Sequence, residues 1–189
     1  MPIGNKYPAP ANRRKCLSYI IAGIILQTLI ILVFVLTFMR TRNPKVRFGS
    51  VTVKNINANS SGSPSFSMKL AAQVTIKNTN FGHYKFPDSP ISIFYKGTLV
   101  GKSDIPKARA KARSTKKMNI TISVDSNKVS SSSSLGSDIN SGKIILNSQA
   151  TLYGKIHLFE VIRKKKTAKM DCKMIVNIKE STIENLECK

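Results

Sequence analysis

Lys117-Met-Asn-Ile-Thr-Ile-Ser-Val124 is the stretch on which the fold of this chain turns. Met118, Ile120, Ile122 and Val124 occupy alternate positions, with Asn119, Thr121 and Ser123 between them. Side chains along a strand point to opposite faces in turn, so this segment has one apolar and one polar face. Working outward, Val46–Ile56, Phe66–Lys77, Ile91–Tyr95 and Thr98–Val100 are further β-branched or alternating segments. Asn57–Pro64 is a polar loop, Lys96-Gly97 a turn, and Phe81–Pro90 has the look of a loop. On the other side, Asp125–Asn140 breaks the rhythm with the serines of 130–134, and reads as either one short helix or a long loop. Strand patterns resume at Lys143–Leu146, at Thr151–Ile162 and at Ala168–Lys179, with Arg163–Lys166 as a hairpin tip. About seven short strands with turn signals between them predict an all-β fold, a two-sheet antiparallel sandwich.

A second pattern stands apart from the first. Cys16–Met39 contains no charged residue and is bounded by Lys15 and Arg40. As a helix it reaches about 36 Å, enough for a hydrocarbon core of ~30 Å. A cleaved secretory signal has an apolar region of only about 7–15 residues ending in small residues, and this run is longer and ends in Met39-Arg40-Thr41-Arg42. The expectation is a retained signal anchor at residues 16–39, a basic cytosolic tail at 1–15, a linker at 40–45 and one β domain at 46–189.

The chain has 189 residues and a formal charge of +22, and all nine acidic residues lie at or beyond Asp88. Basic residues flank the apolar run on both sides, so charge bias does not orient it, while long C-terminal domains translocate largely regardless of charge. Compartment has to be read from the domain. Asn59-Ser60-Ser61 and Asn119-Ile120-Thr121 are N-glycan acceptor tripeptides of a kind that also arises by chance. Cys172–Lys179 alternates like a strand, and Thr182–Cys188 returns beside it after a turn near Glu180. A hairpin centred on residue 180 sets Cys172 directly opposite Cys188, where cross-strand Cβ atoms lie ~4.5–5.5 Å apart and a small adjustment permits a disulfide. The alternative is two unrelated small apolar residues. Cys16, beside Arg13, Arg14 and Lys15, has the setting of a palmitoylation site or of an ordinary apolar member of the span.

The order of these pieces resembles the plant group 2 late-embryogenesis-abundant family, in its membrane-anchored branch related to harpin-induced and disease-resistance-associated proteins. The residues that carry the resemblance are Val74-Thr-Ile-Lys-Asn78-Thr-Asn80, Ile91-Ser-Ile-Phe-Tyr95-Lys-Gly97, Leu99-Val-Gly101, Gly142–Leu146, Gly154-Lys-Ile156 and the terminal Cys172 and Cys188. The chain departs from the pattern at Thr79, where that family often has proline. The resemblance implies an immunoglobulin-like or fibronectin-III-like sandwich, a site at the plasma membrane or an endomembrane with the domain outside the cytosol, and a role in defence or stress responses.

Catalytic chemistry has little support in the sequence. His83 and His157 are the only histidines and belong to no nucleophile or zinc pattern, and there is no Gly-Lys-Ser/Thr phosphate loop or Gly-x-Ser-x-Gly elbow. Neither enzyme activity, metal nor cofactor is expected. The strongest surface signal is Pro106-Lys-Ala-Arg-Ala-Lys-Ala-Arg113, followed by Lys116 and Lys117. In an extended chain Lys107, Arg109, Lys111 and Arg113 project to one side and the three alanines to the other. Such a row is either a solvated edge that discourages aggregation or a contact for anionic lipid or cell-wall polysaccharide. With no aromatics interleaved in it, nucleic acid is not an expected partner. Protein partners, including a second copy of the chain, fit an adhesion module; a protective or apolar-ligand-binding protein is the competing reading, and would need an apolar pocket.

Overall fold

A computed structural model of the chain describes residues 11–38, 40–129, 133–158 and 161–189. Two units result, one ending at Arg40 and one from Thr41 to Lys189. In the first, helix α1 (Ala11–Phe38) contains the stretch Lys15–Thr37, long and apolar enough to cross a membrane. The hydroxyls within it are turned onto the helix itself: Thr28 Oγ1 donates to Ile25 O at 2.8 Å and Thr37 Oγ1 to Val33 O at 2.6 Å. That self-satisfaction is what a polar side chain requires where there is no water. Residues 1–10 lie outside the described residues, and with them most of the expected cytosolic tail.

The second unit is all antiparallel sheet with one short helix. Its strands are β1 (Lys45–Asn59), β2 (Ser65–Asn78), β3 (His83–Phe86), β4 (Ser89–Tyr95), β5 (Thr98–Ile105), β6 (Ala108–Ala110), β7 (Ser114–Asp125), β8 (Lys143–Leu158), β9 (Ile162–Asn177) and β10 (Thr182–Cys188), and α2 (Ser133–Ser141) precedes β8. Ten strands thus stand where about seven were expected. Phe81–Pro90, expected as a loop, contains β3 and the start of β4; Arg163–Lys166, expected as a hairpin tip, is the first part of β9. The ambiguous serine-rich interval contains α2.

The strands join in one continuous hydrogen-bonded sheet, in the order β1-β2-β7-β5-β4-β8-β3-β6, with β9 on β8 and β10 on β9. β8 is the hub. Its sixteen residues pair along their whole length with β9, while the opposite edge is shared by β4, at Leu146–Ala150, and β3, at Lys155–His157. Between β5 and β7 the ladder narrows to a single pair, Gly101 with Val124. A side chain at Gly101 would have its Cβ 2.8 Å from Ser123 O, so only glycine lets the two strands meet there. β1, at the other end of the order, packs back toward β9 and β10, and the sheet is curled nearly into a barrel.

The alternating pattern of Lys117–Val124 does what the sequence led one to expect: Ile120, Ile122 and Val124 are buried and Asn119, Thr121 and Ser123 exposed. The same inward set from the other strands, among them Leu70, Ile76, Ile91, Ile93, Leu146, Leu152, Ile156 and Met174, fills the interior. Each such side chain contributes about 1.5–3 kcal/mol through burial. Leu135 and Ile139 of α2 close one end. The two largest buried side chains keep their hydroxyls bonded: Tyr84 Oη donates to Leu152 O at 2.8 Å, and Tyr95 Oη to Asp138 Oδ2 at 2.7 Å. Burial pushes the Tyr84 phenol up to about 12, opposed by a backbone hydrogen bond at Ala168.

Candidate functional site: a cationic sheet face

The segment Asn78-Thr-Asn80 organises the end at which the chain enters the domain. Asn78 Nδ2 donates to Gly82 O at 2.8 Å and Lys111 O at 3.0 Å, and its Oδ1 accepts from the Asn80 backbone N–H at 3.1 Å. Asn80 in turn holds Arg42 by both backbone groups, at 2.6 Å to its N and 2.8 Å to its O. Both asparagines are buried. Buried amides of this kind are worth having only if satisfied, and these fix the β2–β3 and β6–β7 connections to the entering chain.

The basic row is only partly the extended segment the sequence suggests. From Lys107 to Lys111 the alternation holds, with Lys107, Arg109 and Lys111 exposed and Ala110 buried. At Arg113 it ends. That residue has φ of +53°, donates its backbone N–H to Asn80 O, and lays its guanidinium 4.2 Å over the Phe81 ring. Arg113 therefore turns out of the row, and the expected four-residue line is corrected to three. Lys116 and Lys117 are exposed in β7, opposite Ile76 and Thr75, and belong to a different strand pair from Arg109.

What the linear reading missed is lateral. Arg109 on β6 stands directly opposite Lys85 on β3, Lys85 opposite Lys155 on β8, and Lys155 opposite Lys165 on β9. Residues paired across a ladder share a face, and all four side chains are exposed. Four cations thus cross four adjacent strands about 4.8 Å apart. A neighbouring rung carries His83, His157 and Arg163. His83 Nδ1 accepts the Ala112 N–H at 3.3 Å. The His157 ring is held below its ordinary range, first by desolvation and then by the charges of Lys85, Arg163, Lys155 and Arg109. Like charges directly opposite each other destabilise a sheet by about 0.2–1 kcal/mol per pair. Among the described residues the ion pairs are Lys96–Asp138 and Lys143–Glu184, and neither involves this row. The signal was present in the sequence as Lys85, Lys155 and Lys165, but it could not be assembled without the register.

Cys172 and Cys188 are paired in register and joined in a disulfide. The hairpin closes around 179.5 at Thr182–Asn177, and a bulge between Ile183 and Asn185 moves the pairing onto the centre at 180 that brings the two cysteines opposite. Asn59 is exposed at the end of β1, its Oδ1 accepting the Ser61 N–H at 3.0 Å. Asn119 is exposed in mid-strand on β7, beside Gln73. Cys16 is a free, exposed thiol in α1. Among the described residues no three His, Cys, Asp or Glu side chains gather as a metal site. Clefts of about 480 and 610 Å³ are open and lined in large part by polar and basic groups such as Lys45, Arg47, Lys169 and Lys117.

An antiparallel β domain with a cationic sheet face, preceded in the chain by one long apolar helix, defines the class of protein. The family description "Late embryogenesis abundant protein", in its second group, matches residues 73–174, and the chain belongs to that family. It is similar to a late embryogenesis abundant protein of Arabidopsis thaliana, 28% identical over 178 residues that cover 92% of this chain and 82% of that one. Two solution structures are also similar. One is an Arabidopsis thaliana protein, 19% identical over 72% of this chain and 83% of the other, with a TM-score of 0.42. The second is a late embryogenesis abundant protein, 11% identical over 94% and 95% of the two chains, with a TM-score of 0.34.

Proposed function

We propose that this is a non-enzymatic, single-pass membrane protein that holds its β domain outside the cytosol as an interaction module in plant stress or defence responses, at the plasma membrane or an endomembrane. The observation that carries the reading is the Cys172–Cys188 disulfide in a chain that also has an uncharged helix of membrane-spanning length. Disulfides persist in oxidising, non-cytosolic compartments, so the bond and the helix together favour a translocated domain. Family membership supports the stress-related role. In this reading residues 16–39 are the anchor, 1–15 a cytosolic tail, 40–45 a linker and 46–189 the module; Cys16 is a palmitoylation candidate, and Asn59 and Asn119, both exposed, are glycan acceptors. The single Gly101–Val124 pair between β5 and β7 supports treating the curled sheet as two layers of an immunoglobulin-like sandwich. Its partners are proteins, a second copy of the chain, or an anionic surface. The clefts of about 480 and 610 Å³ are open rather than enclosed, which favours the interaction module over a protective or apolar-ligand-binding alternative.

The test is topology in sealed vesicles from cells expressing a C-terminally tagged chain. Protease added from the cytosolic side should remove only the N-terminal tail, and a glycosidase should reduce the mass in steps that Asn59→Gln and Asn119→Gln abolish. Loss of the tagged domain to protease in intact vesicles would overturn the reading.

A further inference from the structure

The row Arg109–Lys85–Lys155–Lys165 runs across four neighbouring strands and lacks carboxylate partners among the described residues. A solvated edge that merely resists aggregation does not need this placement, since charge serves that purpose on an edge strand, and β8 is a central one. Two further features lie on the same face. Tyr153, two residues along β8 from Lys155 and so on its side of the sheet, is 70% exposed. A large aromatic left in water on a strand whose inward neighbours Leu152 and Ile156 are fully buried is a surface offered for stacking. Beside it, an open cleft of about 270 Å³ is bordered by Tyr153, Gln149, Thr151, Ser92, Pro87 and Phe94. Gln149, Thr151 and Ser92 supply donors and acceptors there. Asp88 stands at the margin, and its Oδ1 accepts the Lys107 N–H.

We propose that this face binds an acidic polysaccharide, a linear glycan with regularly repeated carboxylates, which lays its charges along the Arg109–Lys85–Lys155–Lys165 row and one sugar ring on Tyr153. The inference rests on the reading of the domain as an interaction module and names the chemistry of its partner. Charge complementarity selects an anion with repeated charges, since one carboxylate cannot answer four cations spaced about 4.8 Å apart. The exposed ring and the donors and acceptors of the cleft select a sugar polymer over a phosphatidylserine bilayer, which would meet the cations equally well but would present no sugar ring to Tyr153 or to the cleft.

The experiment uses the full-length chain in nanodiscs of phosphatidylcholine, titrated with polygalacturonate, with the same polymer as its methyl ester, with an oligothymidylate, and with vesicles containing phosphatidylserine. Polygalacturonate should bind in a salt-sensitive way, and the ester, whose carboxylates are masked, should bind at least about tenfold more weakly. Lys85→Glu with Lys155→Glu should remove binding. The milder Lys85→Gln with Lys155→Gln should weaken it with the fold checked by an unchanged or raised melting temperature. Tyr153→Ala should weaken polygalacturonate binding several-fold while leaving its salt dependence as it was. Equal binding of the ester, tighter binding of oligothymidylate or of the anionic vesicles, or undiminished binding by the folded Gln pair or by Tyr153→Ala would each overturn the proposal. Because the binding is measured in nanodiscs, its failure leaves the topology result standing, and a failed topology test leaves this one.

Discussion

The two halves of β8 obey the same pairing rule and meet opposite electrostatic surroundings. In the first half, Lys143 is bonded to Glu184 at 2.8 Å, and next to it α2 brings Asp138 to Lys96 at 2.9 Å and to the Tyr95 hydroxyl. In the second half Lys155 stands between Lys85 and Lys165, and His157 between His83 and Arg163. One end of the strand is neutralised and braced; the other concentrates like charge on one face. Since a sheet pays for opposed like charges and gains from opposed unlike ones, the second half holds its shape through what lies beneath it. There Tyr84 and Phe86 stack at 5.6 Å, and Gly154 leaves room for the Tyr84 ring, which a Cβ at that position would approach to 2.4 Å.

The largest expected effect breaks the braced half. Replacing Cys172 and Cys188 by serine should destabilise the domain by about 3 kcal/mol, the entropic value for a closed loop of this length. Denaturant midpoints of wild type, with and without reductant, and of the double variant measure it. Reduced wild type should approach the variant, and a common midpoint for all three would show that the bond does not brace the β9–β10 hairpin.

Next is Asp138→Asn, which removes the charge shared by Tyr95 and Lys96. Asp138 keeps some contact with water, so the expected loss is about 1 kcal/mol rather than the full worth of a buried charged hydrogen bond. The pH dependence gives the same pairing a second signature. Although desolvation raises the Asp138 carboxyl, the hydrogen bonds from Tyr95 and Lys96 lower it further, and the hydrogen bond from Lys143 lowers Glu184. A carboxyl depressed on folding contributes stability that is present above its unfolded value and is lost as pH falls through its folded one. Wild-type stability should therefore decline below about pH 4, and Asp138→Asn should shrink that decline. An unchanged acid limb would mean that the braced half owes nothing to this carboxylate.

How much of this could be read from the chain depends on whether the signal was local. Lys117–Val124 announced its own faces, and the Lys96-Gly97 turn shows the positive φ angles, 46° and 86°, that such a dipeptide suggests. β8 looked like two strands because Asn147-Ser-Gln149 interrupts its apolar pattern, yet Ser148 is buried with its hydroxyl donated to Cys172 O. Arg163–Lys166 looked like a tip because four cations in succession suggest water, whereas Lys164 and Lys166 are half-buried, and all four residues pair with β8. β3 was hidden because four residues ahead of Pro87 carry too little pattern to register. The cationic row was illegible for a different reason. Its members lie on four strands as far apart as Lys85 and Lys165, and only the register, which no local pattern specifies, sets them side by side.

A smaller effect is expected on the cationic side. Lys155→Gln removes the charge shared by two opposed pairs and should raise stability by a few tenths to about 1 kcal/mol at low salt, with the gain fading as salt is added. Lys143→Gln, in the braced half, should instead lower stability slightly, because it abandons Glu184. Thermal melts of both variants across a salt series decide the matter, and the same sign in both halves would dissolve the contrast.

The smallest effect concerns His157, whose protonation would add a further cation to the crowded half. Lys85 on β3, Arg109 on β6, Arg163 on β9 and Lys155 on its own strand all oppose that charge, as desolvation does. Here the folded value lies below the unfolded one, so the unfolded chain takes up the proton first as pH falls. The contribution of the neutral ring is present above its unfolded value near 6.5 and is lost as pH drops below it. Wild type should accordingly lose some stability as pH falls below about 6.5, before the carboxylates of the braced half begin to matter. His157→Gln should flatten that segment while leaving the acid limb below about pH 4 intact. His83 is kept in both proteins, so the difference isolates the ring at 157. The slope should also diminish in high salt, where the four neighbouring cations are screened, and a slope that ignores both the substitution and the salt would show that the field of the row does not reach this histidine.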